Sequence, residues 1–367
     1  MAELLKNELS KDYICKLAAN IHAVYNVFQA EDFVSAVMDE TWNSLELKAR
    51  MRQITVNLKK FLPADYAEAI GIINKVIPHY GHWLDGFGAM YFPDFVEIYG
   101  QDDWDISIAA LERYTLHASA EFAVRPFIIK DEERMMAQMY AWSKSADTHV
   151  RRLASEGCRP ALPWAQALPK FKKDPTPVLS ILEQLKSDPD FYVRKSVANN
   201  LNDISKTHPD WVAKIAKDWY GKNKDTDWIV KHACRTLLKR GNPDALAIFG
   251  FNDADAVDAK DFAVDTHSVA IGGSFNFSFA ITTTKTTKVR LEYAIDFVKA
   301  NGKRSRKIFQ ISEIAMKAGE TKAYTKSHSF VDLSTRKHYP GLHSITLIVN
   351  STQRGALDFD LTKIFTS

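Results

Sequence analysis

The chain of 367 residues predicts two folds in succession, an α-helical solenoid of the HEAT type followed by an immunoglobulin-like β-sandwich. Three observations predict them. The pattern Asp-x-x-(Val/Ile) recurs at Asp105–Ile108, Asp147–Val150, Asp190–Val193 and Asp227–Val230, at intervals of 42, 43 and 37 residues. Such self-similarity is the mark of stacked helical pairs. Apolar residues then recur at three and four positions up to about Phe249, as in Ile54, Leu58, Phe61 and Leu62, and in Val178, Ile181, Leu182 and Leu185. Beyond Phe251 the period becomes two: Phe275, Phe277, Phe279 and Ile281 alternate with small or polar residues, as do Val289, Leu291, Tyr293, Ile295 and Phe297. The expected division is a HEAT-like helical repeat domain over 1–250 and an immunoglobulin-like sandwich over 251–367.

The elements follow in order. The first 25 residues alternate Lys and Glu with apolar side chains and read as an amphipathic helix, not a signal peptide. Residues 80–104 are aromatic and glycine-rich, which suggests an irregular packed connection. Pro126, Pro160, Pro209 and Pro243 are expected to end helices, because proline disfavours helix at the residue before it. Residues 252–260 are acidic and alanine-rich, a linker or a lead-in. Gly272-Gly273 marks a turn before a strand, and Asn301-Gly302 a hairpin turn. Further strands are expected around 344–349 and 357–361, and several short strands over about 110 residues suggest a sandwich.

Composition narrows the class. Apolar residues make 46% and charged residues 25%, ordinary for a globular protein. No apolar run approaches a membrane span. Three cysteines lie far apart (Cys15, Cys158, Cys234) without a CxxC pair, pointing to a reducing, cytoplasmic setting. Phosphate-binding loops, dinucleotide glycine fingerprints and nucleophile elbows are missing from the sequence. His79-x-x-His82 has helical ligand spacing, but Gly81 interrupts it and a third ligand is not evident, so neither metal nor cofactor is expected. Residues 1–143 carry 13 Lys+Arg against 21 Asp+Glu, residues 144–240 carry 19 against 11, and residues from 251 carry 16 against 12. A basic middle beside an acidic start suggests a polyanion partner.

Within that basic middle sit three acids. Counted from the Asp of each repeat, Glu156 lies at +9, Asp203 at +13 and Glu121 at +16, and stacked repeats can bring such positions onto one wall. Each precedes a proline by four to six residues, which places it near a helix C-terminus, the unfavourable end for a negative charge by about 0.3–1 kcal/mol. Gly157 beside Glu156 weakens a helix by roughly another 0.5–1 kcal/mol. Three such violations on one face point to function. The structural alternative is an ion pair for each acid with Arg125, Arg159 or Lys206. Around them, Arg151, Arg194 and Lys231 share position +4, and Arg152 and Lys195 share +5. Arg159 and Arg235 stand nearby. Rows of cations along a solenoid can track a phosphate backbone. Otherwise they are surface cover. Trp164, past the helix end, packs in the core or stacks on a base or sugar.

The string Arg152-Leu153-Ala154-Ser155-Glu156-Gly157-Cys158-Arg159-Pro160-Ala161-Leu162-Pro163-Trp164-Ala165 resembles the signature of the AlkC alkylpurine DNA glycosylases, in the HEAT-like AlkC/AlkD superfamily. The likeness extends through Glu121–Phe127 and Val193–Asp203, and residues 338–343 resemble the immunoglobulin-like domain of one AlkC branch. The resemblance implies excision of cationic N3-methylated bases from duplex DNA by a monomer, without base flipping. Glu156 and Asp203 would stabilise the sugar cation and position water, with Glu121 supporting them or contacting the lesion. Trp164 would pack on the damaged nucleotide, while Arg152 and Arg159 would hold phosphates or lock the acids. A non-catalytic HEAT scaffold binding DNA or protein is the competing expectation, and it treats the acids as salt-bridged and dispensable.

Overall fold

The computed structural model describes residues 5–78, 87–333 and 336–363. His79 and His82 lie outside the described residues. Helices fill the chain to Phe249: α1 Lys11–Val24, α2 Ala30–Val37, α3 Leu47–Phe61, α4 Tyr66–Val76, α5 Tyr91–Tyr99, α6 Trp104–Tyr114, α7 Val124–Lys130, α8 Glu132–Trp142, α9 Thr148–Gly157, α10 Pro169–Lys173, α11 Leu179–Leu185, α12 Phe191–Ile204, α13 Pro209–Trp219, α14 Lys224–Ala233, α15 Arg235–Lys239 and α16 Pro243–Phe249. Two compact units result, residues 1–207 with 221–233, and residues 208–220 with 234–367.

In the first unit, α9, α12 and α14 stack side by side as equivalent helices of successive repeats, with α8 and α11 behind them. The repeated Asp works as a cap at two of its four positions. Asp147 accepts from the amides of His149 (2.7 Å) and Val150 (3.2 Å), and Asp190 from Tyr192 (2.8 Å), so the carboxylate satisfies amides the helix start leaves open. Asp105 instead falls in the first turn of α6, which packs on α4 and α5. Asp227 is inside α14 and accepts from the Gly221 amide at 2.6 Å.

The prolines correct the expected helix ends. Pro160 does follow the end of α9, but Pro209 and Pro243 open α13 and α16, and Pro126 sits in the first turn of α7. Proline's fixed φ and missing N–H suit a first turn, so the same residue marks a beginning as readily as a stop. Within the aromatic stretch 80–104, the described residues 87–104 are more regular than expected: Tyr91, Phe92 and Phe95 are the buried face of α5.

The second unit contains the strands β1 Val257–Val264, β2 Ser268–Ala270, β3 Ser274–Thr283, β4 Thr287–Val298, β5 Arg304–Met316, β6 Thr321–Ser329, β7 Gly341–Val349 and β8 Thr352–Thr362. Sheets of order β1-β3-β6 and β2-β8-β7-β4-β5 face each other. Phe275, Phe277, Phe279 and Ile281 from one sheet meet Val289, Leu291, Ile295 and Phe297 from the other, so the period of two became the core. Gly302 has φ +74°, as the turn between β4 and β5 requires. Residues 257–260 are already strand, not linker.

Three histidines are buried at one end of this core. His328 accepts or donates at Tyr293 Oη (2.9 Å), His343 at the Tyr339 carbonyl (3.0 Å) and His338 at Asp332 (3.1 Å). Burial, aided by Arg336, His338 and Lys307, pushes His328 down to about 4. Burial also lowers His343, helped by Arg304 and His338 and opposed by the Tyr339 carbonyl and Asp360. An unfolded imidazole titrates near 6.5, so between the two values the unfolded chain binds more protons than the folded one. The sandwich should therefore hold its stability above pH 6.5 and lose it as pH falls towards 4. Urea unfolding at several pH values should show this slope, reduced in His328→Phe.

Candidate catalytic and nucleic-acid site

Packing of α9 against α12 sets the site. Ser155 and Ser196 share a buried hydrogen bond of 2.7 Å between the two helices, and Asn200 donates to the Ser155 carbonyl at 2.9 Å. These contacts fix the last turn of α9, which carries Glu156, beside the last turn of α12, which carries Asp203. Glu121 differs from its expected place. It lies in the turn ahead of α7, which begins at Val124 with Pro126 in its first turn, and so escapes the unfavourable dipole end. Gly157 fits because α9 crowds α7 and α8. A Cβ there would lie 2.6 Å from Val124 Cγ2 and 2.9 Å from Met139 Cε.

The three acids are joined by arginines into one chain of alternating charge. Arg152 Nη1 lies 2.7 Å from Glu121 Oε2, and its Nη2 lies 3.7 Å from Glu156 Oε1. Arg159 reaches the same Glu156 oxygen at 2.5 Å and Asp203 Oδ2 at 2.8 Å. Lys206 takes Asp203 Oδ1 at 2.9 Å. Ser119 donates to Glu121 at 2.8 Å and accepts from Arg152 at 2.9 Å. Glu121, Glu156, Arg159 and Asp203 are all buried. Burial works to lower Arg152 and Arg159, but the neighbouring acids outweigh it and both guanidinium groups are held above their ordinary range. The pairing foreseen by the structural alternative is present for Glu156 and Asp203, whereas Glu121 pairs with Arg152 and not Arg125. Among the described residues, Glu156 Oε2 and Glu121 Oε1 accept no hydrogen bond, which leaves each acid one oxygen for water or a substrate.

Arg125 has a different task. It is fully buried, and its guanidinium donates to the carbonyls of Gly157 (2.8 Å), Arg159 (2.9 Å) and Gln166. The first two close the C-terminus of α9, and the third holds the far limb of the loop that follows. Burial lowers Arg125 to about 10, still charged at neutral pH. At the tip of this loop Trp164 is 61% exposed with φ +66°. That left-handed backbone is unusual for a bulky residue and marks a position set by something other than local preference. Trp164 is not part of the core.

The cation rows divide. Arg151 makes a two-pronged pair with Asp188 (2.7 and 3.1 Å) and donates to the carbonyls of Ser145 and Ala146. Arg194 repeats this one unit on, donating to the carbonyls of Asp188 and Pro189 and pairing with Asp225 at 3.1 Å. These two act as inter-repeat staples: each planar donor fork reaches loop carbonyls and an acid of the next repeat. Lys195 is exposed. Lys231 and Arg235 are half-buried.

Residues outside the expected set complete the surroundings. Tyr192, 41% exposed, lies under the Arg152 guanidinium at 4.6 Å. Phe191 meets Trp228 at 4.6 Å, and Trp228 stacks on His232 at 5.0 Å. The available signal was the aromatic residue directly after two of the repeated Asp residues, Phe191 after Asp190 and Trp228 after Asp227, with Tyr192 one place further. Beside the loop, a cavity of about 260 Å³ is lined in part by Lys48, Arg52, Glu97, Phe122 and Gln166.

Known proteins match this arrangement. Residues 114–237 fit the family model described as DNA alkylation repair enzyme, and residues 258–363 fit the C-terminal Ig-like domain of YhaZ. An uncharacterized protein YhaZ of Bacillus subtilis is 48% identical, over 97% of this chain and 99% of its own. The solved structure of the Pseudomonas fluorescens alkylpurine DNA glycosylase AlkC, bound to DNA containing an abasic site analog, superposes with a TM-score of 0.94. It is 36% identical, over 98% of this chain and 99% of that one. The chain belongs to the AlkC-type DNA alkylation repair enzymes. Its helical part and its immunoglobulin-like part are those of an AlkC fold carrying the extra β-domain. Among the described residues no helix is long and apolar enough to cross a membrane.

Arg125 supports this architecture from within. Arg125→Met should leave two or three buried carbonyls unsatisfied and cost about 2–4 kcal/mol. The check is urea unfolding of the two proteins side by side. An unchanged midpoint would mean that the loop carbonyls find other partners.

Proposed function

We propose that this chain is a monofunctional DNA N-glycosylase. It hydrolyses the N-glycosidic bond of cationic N3-methylated bases in duplex DNA, 3-methyladenine foremost and 3-methylcytosine as a second substrate. It acts as a cytoplasmic monomer without a cofactor, and residues 1–250 provide binding and catalysis. The observation that carries this reading is the Glu121–Arg152–Glu156–Arg159–Asp203 chain beside a loop that presents an exposed Trp164.

The chemistry fits the arrangement. A base methylated on a ring nitrogen is already positive and leaves as a neutral molecule, so no acid is needed to protonate it. Positive charge grows on the deoxyribose as the bond breaks. Preorganised carboxylates beside that sugar stabilise the developing charge, the largest electrostatic contribution an enzyme of this kind can make. The two arginines hold like-charged acids together and fix their orientation. The unbonded Oε2 of Glu156 can take a proton from the attacking water, while Asp203 faces the sugar cation. Glu121 supports Arg152, and Trp164 packs on the damaged nucleotide. An open wall with few groups to grip the base supports recognition without base flipping, and it restricts the enzyme to lesions that bring their own lability. Most enzymes that act on bases need a closed pocket.

One observation favours the non-catalytic scaffold: all three acids are ion-paired. The two readings part on whether the acids are dispensable. In methylated duplex DNA, Asp203→Asn should slow release of free methylated base by about 10²–10³-fold while duplex affinity stays near that of the parent. Full release from both Asp203→Asn and Glu156→Gln would leave these acids as structural ion pairs only. Affinity should also fall steeply with salt, by about 10²-fold or more between roughly 50 and 200 mM. Binding titrations in that range provide the measurement, and a flat response would deny a phosphate-tracking role to Lys195, Lys231 and Arg235.

A further inference from the structure

We propose that Lys48, on α3, is a positioning residue that holds Trp164 in its presented conformation. Its ammonium donates to the Trp164 carbonyl at 2.6 Å and lies 5.0 Å from the centre of the Phe122 ring. It therefore touches both limbs of the site, the loop after α9 and the turn that carries Glu121. Two features mark it as more than a surface lysine. Lys48 sits in the first turn of α3, which holds no acidic residue, so its charge is at the unfavourable end of the helix dipole. The peptide group it binds belongs to a residue with φ +66° and 61% exposure, a backbone state that bulky residues keep only when their surroundings impose it.

The loop has somewhere else to go. Lys48, Phe122 and the loop residues Ala165 and Gln166 are among those that line the cavity of about 260 Å³. Arg125 fixes the stem through the carbonyls of Gly157, Arg159 and Gln166, and Lys48 fixes the tip. The N-terminal helices thus reach the loop and the turn that flank the acid–arginine chain. This inference rests on the reading that Trp164 packs on the damaged nucleotide.

The test compares single-turnover release of methylated base and duplex affinity in the full chain for Lys48→Met, Lys48→Arg, Trp164→Ala and the Lys48→Met/Trp164→Ala pair. Lys48→Met should slow release by about 10- to 100-fold through misplacement of the indole. Its affinity for undamaged duplex and the salt dependence of that affinity should be unchanged. Lys48→Arg, which keeps a cationic donor, should recover most of the rate. In the Trp164→Ala background, Lys48→Met should add nothing further. A Lys48→Met protein as fast as the parent, alongside a slow Trp164→Ala protein, would overturn the inference and leave the role of Trp164 standing. Weakened binding with a salt slope reduced by about one would assign Lys48 to a phosphate instead. A fully active Trp164→Ala protein would remove the reading on which the inference rests.

Discussion

The structure is organised around a buried chain of alternating charge, from Glu121 through Arg152, Glu156 and Arg159 to Asp203. Three carboxylates cannot share a buried wall without cations between them, since their repulsion and desolvation are each worth several kcal/mol on the order-of-magnitude scale for buried ions. The arginines therefore constrain where α9, α12 and the turn before α7 can sit. Displacing any of these elements would leave an unpaired charge in the interior. The ion pairs are both a structural lock and a means of holding acids in a fixed orientation. Catalysis by electrostatic stabilisation depends on such fixed orientation, because groups that must reorient during the reaction lose much of their advantage.

The remaining cations divide their labour by what lies within reach. Arg151 and Arg194 occupy equivalent repeat positions and make equivalent bonds, to carbonyls ahead of their own helices and to an acid of the following repeat. Arg125 is buried among carbonyls at the end of α9, where the helix exposes unsatisfied acceptors. These guanidinium groups bind backbone, and the repeat geometry follows from them.

The sequence was readable where local rules and global packing agree. The alternation in Phe275–Ile281 and Val289–Phe297 became the core of the sandwich because period two has only one buried solution in facing sheets. Asp147 and Asp190 became caps because a short acid at a helix start has a nearby amide to accept from. Reading failed where one residue serves two local states. Pro209 and Pro243 open the next helix and Pro126 sits in the first turn of α7, where each was expected to mark a helix end, since a proline satisfies a first turn as well as it breaks a last one. The same ambiguity moved Glu121 from a helix end into a turn.

By itself the sequence determined the two fold classes and the family signature around Glu156, because these reside in periodicity and in contiguous residues. Only the tertiary structure decided which cation meets which acid, that Arg125 holds a loop and not Glu121, that Arg151 and Arg194 staple repeats, and that Trp164 faces solvent on a left-handed backbone. The reason is one of range. Partners such as Glu121 and Arg152, or Lys48 and Trp164, are 31 and 116 residues apart, and their meeting depends on how whole helices stack, which no short stretch of sequence encodes.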